Sequence, residues 1–281
     1  RLALEGGLMT AYSGLLILFQ LTDSFTVKKA LVEFGLSEHG AKLAKGVYDR
    51  GQPLVQLGLV VALALSSSFL PVLTRYLANR DRRLFVKTSQ IFLRLTCAIG
   101  AAASVGLALL LPYVNYGLFK DYKGNAPLVL FVFAIFLMAL VQAYQSIAQS
   151  QNKYRRSLQA AGVGLIVKGV TTFPLTRQFG TIGASLSTLL GLAAALILLH
   201  YACEQETRNY YRQQHFAGKL FICLAGMIIV LLCYYGSISI LFGMVQSRGF
   251  ALLAAVFGVL IGGSAFLILA IRLRLLTIRE W

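Results

Sequence analysis

The sequence predicts an all-α fold: a polytopic membrane helix bundle of about eight transmembrane helices. Three observations carry that expectation. The chain of 281 residues is 58% hydrophobic and 13% charged, where a soluble domain carries about 25% charged residues. Its apolar residues gather into runs long enough to cross about 30 Å of hydrocarbon, which takes about 20 residues. The residues between the runs are too few for a sizeable soluble domain.

The apolar segments fall near 8–27, 53–74, 91–118, 127–148, 158–175, 182–201, 220–242 and 250–271. The first is the least regular, because Gln20, Thr22, Asp23 and Ser24 interrupt it. A polar interruption within a span faces protein or water, since lipid cannot satisfy it. Pro53 stands where a first helical turn tolerates its missing N–H. Pro71 stands where it can bend the same helix. No low-complexity linker divides the chain. The chain opens on Arg1 and reads as a piece of a longer protein, with no secretory signal pattern at its start.

The net charge of +16 calls for no nucleic acid. Lys and Arg gather in short loops, where membrane lipids with anionic headgroups are the simpler partner. The loops 75–87, 153–156 and 208–219, with the C-terminal end, hold more Lys and Arg than the loops at 28–50, 120–123, Arg177 and Arg248. The positive-inside rule then puts 75–87 and both chain ends in the cytoplasm, and loop 28–50 outside. That outer loop is unusually basic for its side, which suggests a local task such as meeting an anion. Tyr113, Tyr116 and Tyr122, and Tyr201, Tyr210 and Tyr211, suit interfacial anchoring.

Four places carry candidate chemistry. Asp49 and Arg50 sit side by side ahead of an uncharged run. The planar fork of Arg50 suits bidentate binding of phosphate or carboxylate, with Asp49 orienting it and Gln52 nearby. The competing reading is an Arg that snorkels to the headgroups. Asp23, flanked by hydroxyls, can bind a cation or proton or pair with a base; it can also cap a broken helix. Lys168 lies about 15 Å along its helix from the start, too deep to snorkel. A buried Asp23–Lys168 pair is the economical arrangement, against a lysine held by backbone carbonyls alone. Gln142, Gln145 and Gln149 share one helical face, able to meet sugar hydroxyls or to bond neighbouring helices.

Arg94 is near enough to Arg83 and Lys87 to snorkel. Cys97, Cys203, Cys223 and Cys233 show no ligand spacing and read as small core residues. His39, His200 and His215 have no ligand partners nearby. The sequence holds no nucleophile–base arrangement, metal cluster or phosphate loop. An enzyme is not expected, and neither is a cofactor.

The stretch Gly46-Val47-Tyr48-Asp49-Arg50-Gly51-Gln52-Pro53, running on to Ser68–Arg75, resembles the polysaccharide-transporter branch of the MOP flippase superfamily. Within it the stretch is closest to the stage V sporulation protein B group and the MurJ-type lipid II flippases. Further matches are Gln149–Lys153, Gly164–Lys168 and Gly180–Thr188, the last with a Gly-x-x-Gly-Ala start. The resemblance implies fourteen helices in two six-helix lobes plus a terminal pair, with both ends cytoplasmic. This chain would be the second six-helix lobe, residues 1–202, and the additional helix pair, 203–281, in a bacterial cell membrane, with the N-terminal lobe missing.

The implied function is transport of a lipid-linked oligosaccharide pyrophosphate by alternating access between lobes. Arg50 aligns with a cavity arginine thought to engage the pyrophosphate. Asp23 lies on the helix that carries a sodium-site aspartate in some relatives. Their other Na⁺ ligands come from the helix that here holds Lys168, Thr171 and Thr172. A lysine at that place puts its ammonium where the cation would sit. A cation-coupled drug or metabolite antiporter, and a non-transporting scaffold for cell-wall synthesis, are the alternatives.

Overall fold

The computed structural model describes residues 14–208, 216–242 and 247–275, and every regular element among them is helical. In order they are α1 (Leu15–Glu33), α2 (Glu38–Asp49), α3 (Gly51–Ala78), α4 (Arg82–Phe119), α5 (Asn125–Val132) and α6 (Ala134–Ser150). There follow α7 (Tyr154–Phe179), α8 (Thr181–Ala202), the short α9 (Gln205–Arg208), α10 (Phe216–Phe242) and α11 (Arg248–Arg272). Seven spans among the described residues are long and apolar enough to cross a membrane, counting α2 with α3 and α5 with α6 as single spans. The first expected segment, 8–27, begins outside the described residues, and α1 is not among the seven. Large apolar side chains such as Ile17, Phe25, Phe221 and Ile240 are exposed on the bundle surface. In a membrane that surface faces lipid.

One expectation is corrected, one open alternative is decided, and one span shows an internal break. Residues 28–50 do not form a loop. α1 runs to Glu33, Gly35 supplies the left-handed turn (φ +107), and α2 begins at once. Ser37 caps it by accepting a bond from the Gly40 N–H (3.1 Å), with Glu38 in its first turn, where an acid is favoured. Secondly, α1 does not break at its polar stretch. Thr22, Ser24 and Thr26 donate their hydroxyls back to the carbonyls of Leu18, Gln20 and Thr22, so the helix absorbs them. Thirdly, the segment 127–148 splits at Phe133 with no proline or glycine there. The Phe136 N–H bonds the Ser104 hydroxyl of α4 (3.0 Å), which takes the place of a helical carbonyl.

Close helix contacts rest on glycine. A Cβ on Gly191 of α8 would lie 2.8 Å from the Gly164 carbonyl oxygen of α7, and 2.9 Å from both Lys168 Cβ and the tip of the Phe19 ring. Small residues let backbones approach in this way. Gly51 likewise faces the Phe131 ring, 2.6 Å from where its Cβ would be. The α10–α11 pair packs chiefly on α4. There Arg248 donates to the terminal carbonyls of α4, at Gly117 (2.8 Å) and Leu118 (3.1 Å). A cation at a helix C-terminus also suits the helix dipole.

Tyr113 is buried against Tyr235 (5.3 Å between ring centres). Tyr116 stacks on Tyr122, and Tyr201 is exposed. Tyr210 and Tyr211 lie outside the described residues. Cys97 and Cys223 are buried, Cys203 is half-buried and Cys233 is exposed; all four are free thiols. Substituting Gly191→Val forces α7 from α8 and is expected to cost about 1–3 kcal/mol, read as a lowered melting temperature in detergent. An unchanged melting temperature would count against the close approach.

Candidate functional site

The best-defined polar constellation lies where α1, α2, α7 and α8 meet. α1 brings Asp23 and α7 brings Lys168, with 2% and 0% of their side chains exposed. Lys168 Nζ lies 2.7 Å from Asp23 Oδ1. This contact is an ion pair by distance; Oδ1 receives no hydrogen bond of good angle. The ammonium also donates to Thr188 Oγ1 of α8 (2.7 Å) and lies 5.3 Å from the centre of the Phe19 ring, a cation–π distance. Three ammonium hydrogens thus have a carboxylate, a hydroxyl and a ring for company.

The second carboxylate oxygen, Asp23 Oδ2, accepts the Tyr48 hydroxyl of α2 (3.0 Å). That hydroxyl is also 3.3 Å from Thr188 Oγ1 and 3.4 Å from the Ala184 carbonyl. Tyr48 is 1% exposed and meets Phe131 edge-on at 5.3 Å. Four helices therefore close one network around two opposite charges. A buried charge is tolerable only when paired and hydrogen-bonded, and these two are.

Thr172 is buried one turn beyond Lys168. It donates to the Lys168 carbonyl (2.6 Å) and lies 3.1 Å from Ser187 Oγ. Thr171 is half-buried and donates back to the Val167 carbonyl (2.7 Å). The structure brings Asp23 and Lys168 together, with Thr188 and Tyr48 where a ligand set including Thr171 and Thr172 was expected. Among the described residues no group of three His, Cys, Asp or Glu is arranged to hold a metal ion.

Arg50 occupies the junction of α2 and α3. Its expected partner, Asp49, is not its partner. Asp49 pairs with Lys45 one helical turn back (2.6 Å), because adjacent helical residues point apart while i and i+4 share a face. Arg50 instead reaches Asp121 in the α4–α5 connection at 3.5 Å, with its guanidinium carbon 4.8 Å from the Phe119 ring centre. Its other terminal nitrogen, Nη1, is buried without a hydrogen-bond partner. The side chain is 19% exposed, so it does not snorkel outward. Asp121 accepts the Lys123 backbone N–H (2.9 Å). That bond first, and the Arg50 charge second, hold its carboxyl below the usual carboxylate range.

The remaining candidates are spread through the bundle. Gln52 and Gln145 are buried (6% and 4% exposed), while Gln142 and Gln149 are half-buried. Gln142 Oε1 and Gln145 Nε2 are buried without hydrogen-bond partners. Arg94 does not snorkel either: it is 6% exposed. Near the opposite end from Arg50, His200 bonds the Tyr144 hydroxyl (2.8 Å), a contact its sequence position did not suggest. Sequence reading also missed Tyr48, Asp121 and Thr188. The one available signal for Tyr48 was its place seven residues after Ala41, the pair being the buried residues of α2.

Removing one charge leaves the other stranded. Lys168→Met is expected to destabilise the protein by about 3–5 kcal/mol, and Asp23→Leu with Lys168→Met by much less. Thermal unfolding of both variants checks this; equal losses would mean that the charges do not act as a pair.

No family model matches the chain. It is 33% identical over 276 residues to YabM of Bacillus subtilis (strain 168), described as an uncharacterized membrane protein, covering 95% of this chain and 50% of that one. It is 25% identical over 186 residues to the lipid II flippase MurJ of the same organism, covering 64% of this chain and 34% of that one. The chain thus spans about half the length of the first relative and about a third of the second. Its apolar helices and these similarities make it a multi-pass membrane protein related to MurJ-type flippases.

Proposed function

We propose that this chain is one part of a flippase that carries a lipid-linked oligosaccharide pyrophosphate across the bacterial cytoplasmic membrane by alternating access. The observation that carries the reading is the Arg50 guanidinium. It is fixed at a helix junction with one nitrogen buried and unpaired and another in a long 3.5 Å contact. A guanidinium so poorly satisfied has capacity for a stronger anion, and a diphosphate offers the bidentate oxygens it matches. The relative named as a lipid II flippase supports the same class of cargo. Arg50 meets the pyrophosphate from the extracytoplasmic end, and Asp121 is its resting partner. Gln142, half-buried with its Oε1 unpartnered, remains available to sugar or to helices of a second lobe.

Coupling to sodium is not part of the proposal. Asp23 already has an ammonium at 2.7 Å and a phenol at 3.0 Å, so a cation entering there would have to displace Lys168. The same engagement argues against a cation antiporter built on this acid. The membrane potential supplies a driving force instead, about 2.3 kcal/mol per charge per 100 mV on an anionic cargo.

Arg50→Ala in the full-length protein is expected to abolish growth rescue of a flippase-depleted strain. Full rescue at normal protein levels would sink the role given to Arg50. Asp121→Asn removes the competing anion and is expected to tighten binding of a prenyl pyrophosphate several-fold. Its effect on stability should stay within about 1 kcal/mol, as for other partly exposed ion pairs.

A further inference from the structure

Tyr48 has no part in the function just proposed, yet it touches the buried pair and stands two residues before Arg50 on the same helix. α2 has two buried residues, Ala41 and Tyr48. The Tyr48 ring reaches inward and ends on the Asp23 carboxylate (3.0 Å) beside Thr188 (3.3 Å). Two residues later on the same backbone stands Arg50, about 200° around the helix, aimed away at Phe119 and Asp121. Phe131 braces the stretch between them. Tyr48 meets it edge-on, and Gly51, immediately after Arg50, packs its bare Cα against the same ring. The backbone at Arg50 remains right-handed helical (φ −59°, ψ −23°), so α2 and α3 behave nearly as one rod. A helix pinned on one side by a buried hydroxyl cannot roll without breaking that bond, and rolling is what would re-aim Arg50.

We propose that Tyr48 is a positioning residue linking the buried Asp23–Lys168 pair to the aim of Arg50, so that the pair holds the diphosphate-binding guanidinium in place. The proposal rests on the reading of Arg50 as an anion site. While Tyr48 donates to Asp23, α2 is fixed in rotation and Arg50 is presented toward the α4–α5 connection. An anion held by Arg50 in that orientation favours the Tyr48–Asp23 bond, and loosening that bond weakens the grip on the anion; the coupling acts equally in both directions. Tyr48 needs no contact with cargo to do this.

The test is a double-mutant cycle on the full-length protein in lipid nanodiscs, with a short-chain prenyl pyrophosphate as the probe. Tyr48→Phe keeps the ring against Phe131 and removes only the hydroxyl. It is expected to weaken binding about tenfold. Arg50→Lys keeps the charge and loses the fork, so its weakened binding stays measurable. Adding Tyr48→Phe to Arg50→Lys should cost clearly less than tenfold, because the residue being aimed has been replaced. Equal tenfold losses in both backgrounds, or unchanged affinity in Tyr48→Phe alone, would overturn the link.

The variant Asp23→Leu with Lys168→Met removes the pair as a unit and gives a second reading if Tyr48→Phe folds poorly. It should bind about tenfold more weakly than the parent protein, and parent affinity in this variant overturns the proposal. Failure of the anion site and failure of the Tyr48 link give different results. Unchanged affinity in Arg50→Lys and Arg50→Gln would remove the anion site itself, and the link with it. Loss of affinity there, with none in Tyr48→Phe, would remove the Tyr48 link alone.

Discussion

Two opposite charges inside a membrane bundle impose a strict condition: each must meet the other and every remaining polar direction must be filled. Much of the bundle can be read as meeting that condition. Asp23 and Lys168 require α1 beside α7, which in turn requires α8 close enough to lend Thr188. The approach of α8 is possible because Gly191 and Gly164 present bare backbone, and Gly191 also leaves room for Phe19 against the Lys168 stem. Asp23 Oδ2 then draws Tyr48 inward, which seats α2 and sets the direction in which α3 departs. A neutral core could slide by a fraction of a turn at modest cost. An ion pair with fixed partners cannot.

The legible part of the fold was the part governed by composition. Apolar runs marked α3, α4, α7, α8, α10 and α11, with ends displaced by several residues. Asp23 and Lys168 could be matched because Asp23 is the one acid embedded in an apolar segment as deeply as Lys168, leaving few candidates for a partner. The unreadable parts depended on residues distant in sequence. Arg50 looked paired with the acid beside it, but helix geometry gave that acid to Lys45 and brought Asp121 from the next connection. The break at Phe133 had no local cause, since its compensating hydroxyl, Ser104, belongs to α4. The polar interruption in α1 looked like a break because the sequence does not say that Thr and Ser side chains will bond back to their own helix. Tyr48 was overlooked because a tyrosine among charges at a membrane edge resembles an anchor, and only burial separates the two cases.

The two polar sites differ in a way that suits different tasks. The buried pair is closed on itself: carboxylate, ammonium, phenol and hydroxyl are one another's partners, and Asp23 Oδ1 is held by the ammonium charge at 2.7 Å. The Arg50 site is unsaturated, with a long contact and a nitrogen lacking any acceptor. Closed networks fix geometry, and unsaturated ones have capacity to bind. The short α2 helix carries both, so positional accuracy earned at one is available two residues away at the other.

The docking of α10 and α11 on α4 has a consequence for how the protein is made. Helices enter the bilayer in chain order, and α4 is complete long before Arg248 is synthesised. Until then the carbonyls of Gly117 and Leu118 at the end of α4 must rely on water or headgroups. The arrival of Arg248 replaces those partners with two direct bonds. The bundle around Asp23 and Lys168 can thus be complete before the last pair attaches, and attachment of that pair becomes a late step of assembly, in which the Arg248 bonds join the apolar packing along α4.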